Sequence, residues 1–274
     1  MCGPHQNVVG MAAKARSPLV DALSWCRSIF FFDPLIIAYT AVMGSVSLLT
    51  SFFDRDGRRQ HGVARAWSRM ILKTSVPPVR VTGLENVDAA EPRVYIVNHI
   101  SALDIPVLYV NLPFSFRIVV KKELFLYPFI GWHLRRSGQL PIDRSNPSAS
   151  IRSLKTAIDC LRRGTSLVIF PEGGRSTTGE VQPFLSGASY VAIKAHVDIV
   201  PLAIVGTYEI LPMKHFHIRP GPIELFVGHR ISTAGLGLHD IDSLTARSRS
   251  AIEDMYYAHS KVLDPRRPAA AGSD

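Results

Sequence analysis

The chain has 274 residues, of which 47% are hydrophobic and 19% charged, so it can bury a sizeable core and is not intrinsically disordered. Its formal net charge of +9 predicts a preference for polyanions, namely nucleic acid, an anionic membrane or phosphorylated substrates. Its three cysteines are too few and too far apart for a disulfide framework or a metal site, which favours a reducing compartment.

One long uncharged run, residues 35–53, excludes a simple multi-pass membrane protein but predicts a single membrane-associated helix. As an α-helix the run is about 28 Å long, close to the ~30 Å hydrocarbon core of a bilayer. Asp33 and Pro34 form a favourable helix start. Two arrangements are open: one spanning helix, or two helices over 18–32 and 35–53 that lie in one leaflet. A buried core helix is the alternative without a membrane.

The segment 57–75 is predicted to form a basic amphipathic helix. Its apolar face carries Val63, Trp67, Met70 and Ile71, and its basic residues are Arg58, Arg65, Arg69 and Lys73. This pattern is typical of a helix in an anionic interface, with an ordinary surface helix as the alternative. We expect residues 1–76 to form an N-terminal membrane-associated segment. The heavier basic cluster after the apolar run predicts that the rest of the chain faces the cytoplasm.

From residue 77 to 262, short β-branched runs alternate with helical stretches, which predicts an α/β domain. The expected fold is a mixed, largely parallel sheet covered by helices. Strands are predicted over 79–82, 93–97, 116–120, 139–142, 166–170, 199–205 and 223–227, and helices over 104–110, 122–136, 147–163, 186–196 and 243–261. The tail, 263–274, is predicted to be disordered.

An imidazole and a carboxylate follow the second predicted strand, where sites in α/β sheets are usually built. His99 and Asp104 are five residues apart, and such a pair can act as a base and its orienter. From the residues alone, two structural alternatives stay open. Asp104 can cap a helix that starts at Ile105 and Pro106, and His99 can be a loop histidine bonded to the backbone.

Two further strand ends carry arginine, whose planar guanidinium suits a phosphate group. Arg144 follows the strand 139–142, and Arg175 follows the strand 166–170. From the residues alone, salt bridges are equally open, Arg144 with Asp143 and Arg175 with Glu172.

Glycine and proline mark two more positions near strand ends. Gly173 and Gly174 precede Arg175, and glycines let backbone N–H groups approach an anion. Pro201 interrupts the apolar strand 199–205, as a proline at an edge or a bulge does.

Four segments, taken together and in this order, resemble the glycerolipid acyltransferases, most closely the 1-acyl-sn-glycerol-3-phosphate acyltransferases. They are NHISALD (98–104), GQLPIDR (138–144), FPEGGRS (170–176) and IVPLAI (199–204), and Gly174 stands where the family pattern has threonine. The resemblance covers roughly residues 65 to 230. It implies the glycerolipid acyltransferase fold and an acyltransferase of phospholipid synthesis.

The resemblance also implies a reaction and a site. An acyl chain would pass from acyl-CoA or acyl carrier protein to the sn-2 hydroxyl of 1-acyl-sn-glycerol 3-phosphate, giving phosphatidic acid. His99 would take the hydroxyl proton, and Asp104 would hold the imidazole. The residues implied for substrate binding are Arg144, Glu172, Gly173, Arg175 and Pro201, with backbone N–H groups near Pro201 expected to serve the oxyanion.

The implied partners are the lysophospholipid, the thioester donor and a membrane lipid surface, with no metal, no bound cofactor and no nucleic acid. Two alternatives remain at this point. One is a sister acyltransferase that acts on another lysolipid acceptor, and the other is a catalytically silent lipid-binding relative.

Overall fold

The computed structural model of the protein describes residues 18–54, 57–143, 145–215 and 217–266. Within these residues a seven-stranded sheet lies between two layers of helices. The strands are β1 Arg80–Thr82, β2 Val94–Val97, β3 Phe116–Lys121, β4 Leu140–Ile142, β5 Ser166–Ile169, β6 Ile199–Val205 and β7 Glu224–Val227. The helices are α1 Pro18–Arg27, α2 Asp33–Thr50, α3 Arg58–Ser75, α4 Asp104–Asn111, α5 Ile130–Arg136, α6 Pro147–Arg162, α7 Gly187–Ala195, α8 Thr207–Ile210 and α9 Ile241–His259.

The sheet has the strand order β1-β7-β6-β2-β5-β3-β4. The five strands from β6 to β4 are parallel, whereas β7 is antiparallel to β6, and β1 runs parallel with β7. Each strand was predicted, and the expected mixed, largely parallel sheet is confirmed. Because parallel strands end at the same edge, the loops after β2, β3, β5 and β6 meet there.

Two apolar cores cover the two faces of the sheet. In β2, Tyr95 and Val97 pack into the core shared with α3 and α4, whereas Val94 and Ile96 pack into the core shared with α6, α7 and α9. The strand is therefore buried on both faces, which explains its continuous apolar sequence.

The predicted helix 122–136 is wrong, because the chain forms a 3-10 turn over Lys122–Leu126 and then a separate helix α5. Pro128 disfavours the helical conformation for the residue before it, and Tyr127 is extended. Phe129 then adopts φ +59, outside any continuing helix. Gly131 permits the tight return, since a Cβ there would lie 2.3 Å from the carbonyl oxygen of Phe125.

The apolar N-terminal segment is one continuous helical rod from α1 to the end of a 3-10 turn at Phe53, so the predicted start at Asp33 and the pair of separate helices are wrong. A π-helical turn, Ser28–Phe32, joins α1 to α2. Pro34 lacks an N–H and crowds the preceding turn. The wider turn before it, closed by the Asp33 N–H on the Ser28 carbonyl, keeps the helix continuous. Within the described residues, Ala22–Phe53 is long and apolar enough to cross a membrane.

Helix α3 turns its apolar side into the protein. The indole N–H of Trp67 donates to the hydroxyl of Thr40 in α2 at 3.1 Å, and Arg65 donates to the Tyr109 and Leu112 carbonyls near the end of α4. The prediction that this apolar face lies in an anionic interface is therefore wrong, and α3 matches the surface-helix alternative. Its exposed basic residues are Arg58, Arg59, Arg69 and Lys73.

Parts of the two predicted terminal segments lie outside the described residues, namely 1–17 and 267–274. The described start of the tail is tied to α9. Arg266 pairs with Asp254 and Asp264 at 2.8 and 2.9 Å, and its guanidinium lies over the Tyr257 ring. These contacts hold the chain against α9 as far as Arg266.

Candidate active site

His99 and Asp104 lie together just beyond the C-terminal end of β2. The Nδ1–H of His99 donates to Oδ2 of Asp104 at 2.8 Å. Because a carboxylate has no proton to donate, this bond places the imidazole proton on Nδ1 and leaves the Nε2 lone pair as the basic site. Asp104 is fully buried, whereas 16% of the His99 side chain is exposed. Among the described residues, nothing hydrogen-bonds to Nε2.

Asp104 accepts four hydrogen bonds, and none of them caps a helix. Besides the imidazole, Oδ2 accepts the backbone N–H groups of Ile100 and Ser101, both at 2.9 Å. Oδ1 accepts the hydroxyl of Thr207 at 2.7 Å. A capping residue accepts from N–H groups that follow it, whereas these donors precede α4 or come from another element. The alternative of Asp104 as a cap is therefore wrong.

Thr207 is a site residue that the sequence analysis missed. It is the first residue of α8, directly after β6, and lies 103 positions from Asp104 in the chain. The N-cap before it, Gly206, has φ +92, which lets the chain turn sharply from β6 into α8. The only sequence signal was this glycine-threonine pair at a strand end.

Glu172 joins the two loops that build the site. Its Oε1 accepts the backbone N–H of His99 at 2.7 Å, and its Oε2 accepts that of Gln182 at 2.9 Å. The backbone N–H of Ser176 in turn donates to the His99 carbonyl at 2.8 Å. The carboxylate is thus occupied by backbone groups, and it forms no ion pair with Arg175. Burial raises the pKa of Glu172 to about 8, although the two N–H donors oppose this rise.

The titration of Glu172 is expected to make stability depend on pH. Its folded-state pKa of about 8 lies above its ordinary value of 4.5. Its contribution to the free energy of unfolding is therefore fully present below about pH 4.5 and is lost as the pH rises through 8. Glu172→Gln should flatten the fall of the thermal unfolding midpoint between about pH 5 and 8. Parallel curves for variant and wild type would show that Glu172 does not titrate in this range.

His99 lines a cavity of about 460 Å³ that lies where two strands part. β3 pairs with β5 up to Ile118 and with β4 from Val119 onward, so the ends of β3 and β5 diverge. The imidazole stacks on Phe170 with 4.0 Å between ring centroids, which fixes the ring at the wall. Residues of both apolar cores line the cavity, among them Ile105, Val119, Val120, Leu154, Ala157 and Val191.

Two cationic side chains line the same cavity, Arg175 and Lys121. Arg175 was predicted, and its exposed side chain has no ion-pair partner among the described residues. Lys121 was missed, although it directly follows the predicted strand 116–120 and is the last residue of β3, a position where site residues gather. Gly173 also lines the cavity and adopts φ +78, a conformation that glycine reaches without strain.

Arg144 lies outside the described residues, so the structure does not place it. Asp143, which the sequence analysis considered as a salt-bridge partner of Arg144, accepts a hydrogen bond from Lys122 at 2.6 Å. This bond raises the pKa of Lys122 and lowers that of Asp143.

Pro201 lies inside the sheet and is not brought to the cavity. It is buried in β6, between β2 and β7, and so does not lie at an edge of the sheet. Leu202 pairs with Val227 and Ile199 pairs with Ile231, so the segment opposite β6 has one extra residue here, and Pro201 lies at the bulge that the sequence allowed. The fourth segment of the resemblance, 199–204, contacts the loop after β2 through Ile204. The backbone of Ile204 forms two hydrogen bonds with the Asn98 side chain.

Comparison with known proteins identifies relatives of this arrangement. The family model described as Acyltransferase matches residues 78–205. A chloroplastic 1-acyl-sn-glycerol-3-phosphate acyltransferase of Brassica napus is 34% identical over 206 residues, which are 71% of this chain and 58% of the relative. The 1-acyl-sn-glycerol-3-phosphate acyltransferase of Pseudomonas aeruginosa is 29% identical over 235 residues, 83% of this chain and 89% of the relative.

A solved structure shares the fold. The 1-acyl-sn-glycerophosphate acyltransferase of Thermotoga maritima matches with a TM-score of 0.69 over 86% of this chain and 98% of the other, at 22% identity. The chain spans less than two thirds of the length of the Brassica napus relative. His99, Asp104, Glu172 and Arg175 all fall inside the segment that the family model matches. Residues 78–205 of the chain therefore form an acyltransferase-family domain.

Proposed function

We propose that the protein transfers an acyl chain from acyl-CoA or acyl carrier protein to the sn-2 hydroxyl of 1-acyl-sn-glycerol 3-phosphate, giving phosphatidic acid. One observation carries the proposal: His99, whose Nε2 has no hydrogen-bond partner among the described residues, lines a largely apolar cavity together with the cationic side chains of Lys121 and Arg175. The reaction needs a base, space for an alkyl chain and charge for a phosphate. The relatives named above, which are 1-acyl-sn-glycerol-3-phosphate acyltransferases, support the same acceptor.

The chemistry follows from the tautomer of His99. Nε2 takes the proton of the acceptor hydroxyl while the hydroxyl oxygen attacks the carbonyl carbon of the thioester. The buried carboxylate of Asp104 stabilises the resulting imidazolium through the Nδ1–H bond. The tetrahedral intermediate then expels the thiolate with cleavage of the C–S bond, and Nε2 returns its proton to sulfur. The cycle needs no covalent acyl-enzyme.

The acyl chain of the donor fits the 460 Å³ cavity between β3 and β5. Part of its wall consists of small and aliphatic side chains of α6 and α7, namely Leu154, Ala157, Ala188 and Val191. Burial of each methylene there contributes about 0.8 kcal/mol. The thioester carbonyl then lies beside the imidazole, at the polar mouth of the cavity.

Arg175 and Lys121 are expected to bind the acceptor phosphate. A charge-assisted hydrogen bond contributes about 1.5–3 kcal/mol, so Arg175→Ala or Lys121→Ala should each lower acceptor kcat/KM by roughly 10- to 100-fold. The matched control is Lys122→Ala, because the neighbouring Lys122 is paired with Asp143 and does not line the cavity. Steady-state kinetics with varied lysophosphatidate measures the effect. Equal losses in all three variants would remove Arg175 and Lys121 from phosphate recognition.

In this proposal the apolar part of the helical rod, Ala22–Phe53, lies in a membrane. The site is then at the membrane surface, with the catalytic domain toward the cytoplasm. Apolar side chains along the rod are exposed to an extent that is unusual for a protein surface in water. They include Leu23, Trp25, Phe30, Phe31, Ile37, Val42, Leu49, Phe52 and Phe53. A lipid environment would cover these groups, and the acceptor resides in the same environment.

Salt should not release the protein from membranes. Burial of apolar side chains is insensitive to ionic screening, whereas attachment through the basic face of α3 alone would be screened. We expect the full chain to stay in the membrane pellet through high-salt washes and to need detergent for extraction. Complete recovery in a salt-washed supernatant would contradict this.

An acceptor panel tests the proposed function. One acyl-CoA is offered together with lysophosphatidate, with lysophospholipids that carry other head groups, or with glycerol 3-phosphate, and products are identified by mass spectrometry. The proposal predicts acylation of lysophosphatidate above all others. Preference for another lysolipid would assign a sister activity, and no acylation of any acceptor from either acyl-CoA or acyl carrier protein would contradict an enzyme.

A further inference from the structure

We propose that a second cavity, between the N-terminal helices and the sheet, binds the alkyl chain that the acceptor lipid already carries. This inference rests on the proposed function, since that reaction brings two alkyl chains to one imidazole. The cavity has a volume of about 210 Å³ and is lined from five elements: α2, α3, α4, α5 and β3. An apolar cavity of about 150 Å³ is enough to bind benzene, so this space can take a segment of alkyl chain.

The wall of the second cavity is mostly apolar, and polar groups of Thr40, Trp67 and His133 in it are already hydrogen-bonded. The hydroxyl of Thr40 accepts from Trp67 and donates to the Ile36 carbonyl at 2.7 Å. Nδ1 of His133 is hydrogen-bonded to the Ser47 hydroxyl at 2.7 Å. Burial lowers the pKa of His133 to about 4, so this ring is neutral near pH 7. Such a wall favours an apolar occupant over water.

The two cavities are neighbours around the end of β3. Ile105, Ile118, Val120 and Leu124 line both of them. The second cavity and the cavity that His99 lines therefore share these four side chains as common wall. A lipid whose chain occupies the second cavity can place its glycerol hydroxyl near the imidazole while the donor chain fills the first cavity.

The position of the second cavity favours the acceptor over the donor as the occupant. One side of it is formed by Met43 and Gly44 of α2, which belong to the exposed apolar rod. In the proposed function the acceptor resides in the lipid that covers α2, so its chain is next to this wall of the cavity. The thioester donor is water-soluble and has the first cavity available.

A cavity-filling variant tests the assignment. Met43→Trp adds volume to the wall, and Val42→Trp is the matched control, because Val42 is 55% exposed on the same helix and lines neither cavity. In mixed micelles, kcat/KM is measured for octadecanoyl and hexanoyl lysophosphatidate, each with a long and a short acyl-CoA. Loss of contact with about two methylenes should lower the long-to-short acceptor ratio about tenfold in Met43→Trp. The acceptor ratio of Val42→Trp and the donor ratios of both variants should stay unchanged.

Each contrary result has a distinct meaning. An unchanged acceptor ratio in Met43→Trp, or a changed donor ratio in its place, overturns the inference while leaving the proposed function intact. A wild type that acylates neither lysophosphatidate overturns the proposed function itself. Activity of Met43→Trp on the hexanoyl acceptor shows that the variant is folded. If that activity is absent, Val63→Phe, on the α3 wall of the same cavity, takes its place with the same expected ratio.

Discussion

Replacement of His99 by alanine is expected to lower kcat by about 10²–10⁴-fold, the usual contribution of general base catalysis. The acceptor hydroxyl is scarcely ionised near pH 7, whereas a thioester is already activated, so proton removal is the main chemical task. Nε2 of His99 is free to do it, because Asp104 engages Nδ1. The measurement is the rate of thiol release from acyl-CoA at saturating lysophosphatidate.

The fold should survive this substitution. His99 lies in a loop, and its two backbone bonds, to Glu172 and Ser176, do not involve the imidazole. A thermal unfolding midpoint close to that of the wild type is the control. A folded His99→Ala variant with kcat within a few-fold of wild type would show that another group removes the proton.

Replacement of Asp104 by asparagine is expected to lower kcat by about 10- to 100-fold, because the charge that stabilises the imidazolium is lost. The geometry makes asparagine a close mimic. The N–H groups of Ile100 and Ser101 require an oxygen at the Oδ2 position, so the amide nitrogen must face Thr207, whose hydroxyl can accept. The tautomer of His99 is then preserved, and what is lost is the charge assistance of a hydrogen bond that contributes about 1.5–3 kcal/mol when one partner is charged.

Thr207→Val serves as the partner variant to Asp104→Asn. It removes one hydrogen bond from Oδ1 while leaving the charge and the bond to His99 in place. Its loss in kcat should therefore be smaller than that of Asp104→Asn. Near-normal turnover of Asp104→Asn, in a protein of wild-type stability, would show that the carboxylate charge plays no part in catalysis.

The sheet was predictable because several of its strands are continuous runs of apolar residues. β6 carries seven consecutive buried residues, and its position was predicted to the residue despite Pro201. Proline was tolerated in the middle of the sheet because the pairing with the neighbouring segment has a one-residue bulge beside it, which depends on the residues after β7 and is not visible within β6 itself. The local pattern thus identified the strand, while its place in the sheet required the partner.

The helices were predicted less well where one residue changes the backbone geometry. Pro128 marks the break in the predicted helix 122–136 through its effect on the residue before it, a signal that was present in the sequence. Pro34, in contrast, does not break the helix. The π-helical turn Ser28–Phe32 accommodates this proline, and the helix continues through it. Proline alone does not distinguish a helix start from a helix distortion.

The site was predictable where its residues are close in the chain. The spacing of His99 and Asp104 suffices to find the pair, because five residues of one loop bring the two side chains together. Their supports come from distant segments: Glu172 lies 73 positions from His99, and Thr207 lies 103 positions from Asp104. The parting of β3 and β5, which opens the cavity, is a property of strand pairing and has no local signature.

Coupled measurement of thiol release and phosphatidic acid formation tests the central claim most directly. Wild-type protein in mixed micelles receives acyl-CoA or acyl carrier protein thioester, with and without lysophosphatidate, beside His99→Ala as the control. The account predicts that thiol appears only when lysophosphatidate is present, in equal amount to phosphatidic acid, and that both fall together in His99→Ala. Thiol release that is independent of lysophosphatidate, or phosphatidic acid formation that persists at the wild-type rate without the imidazole, would contradict it.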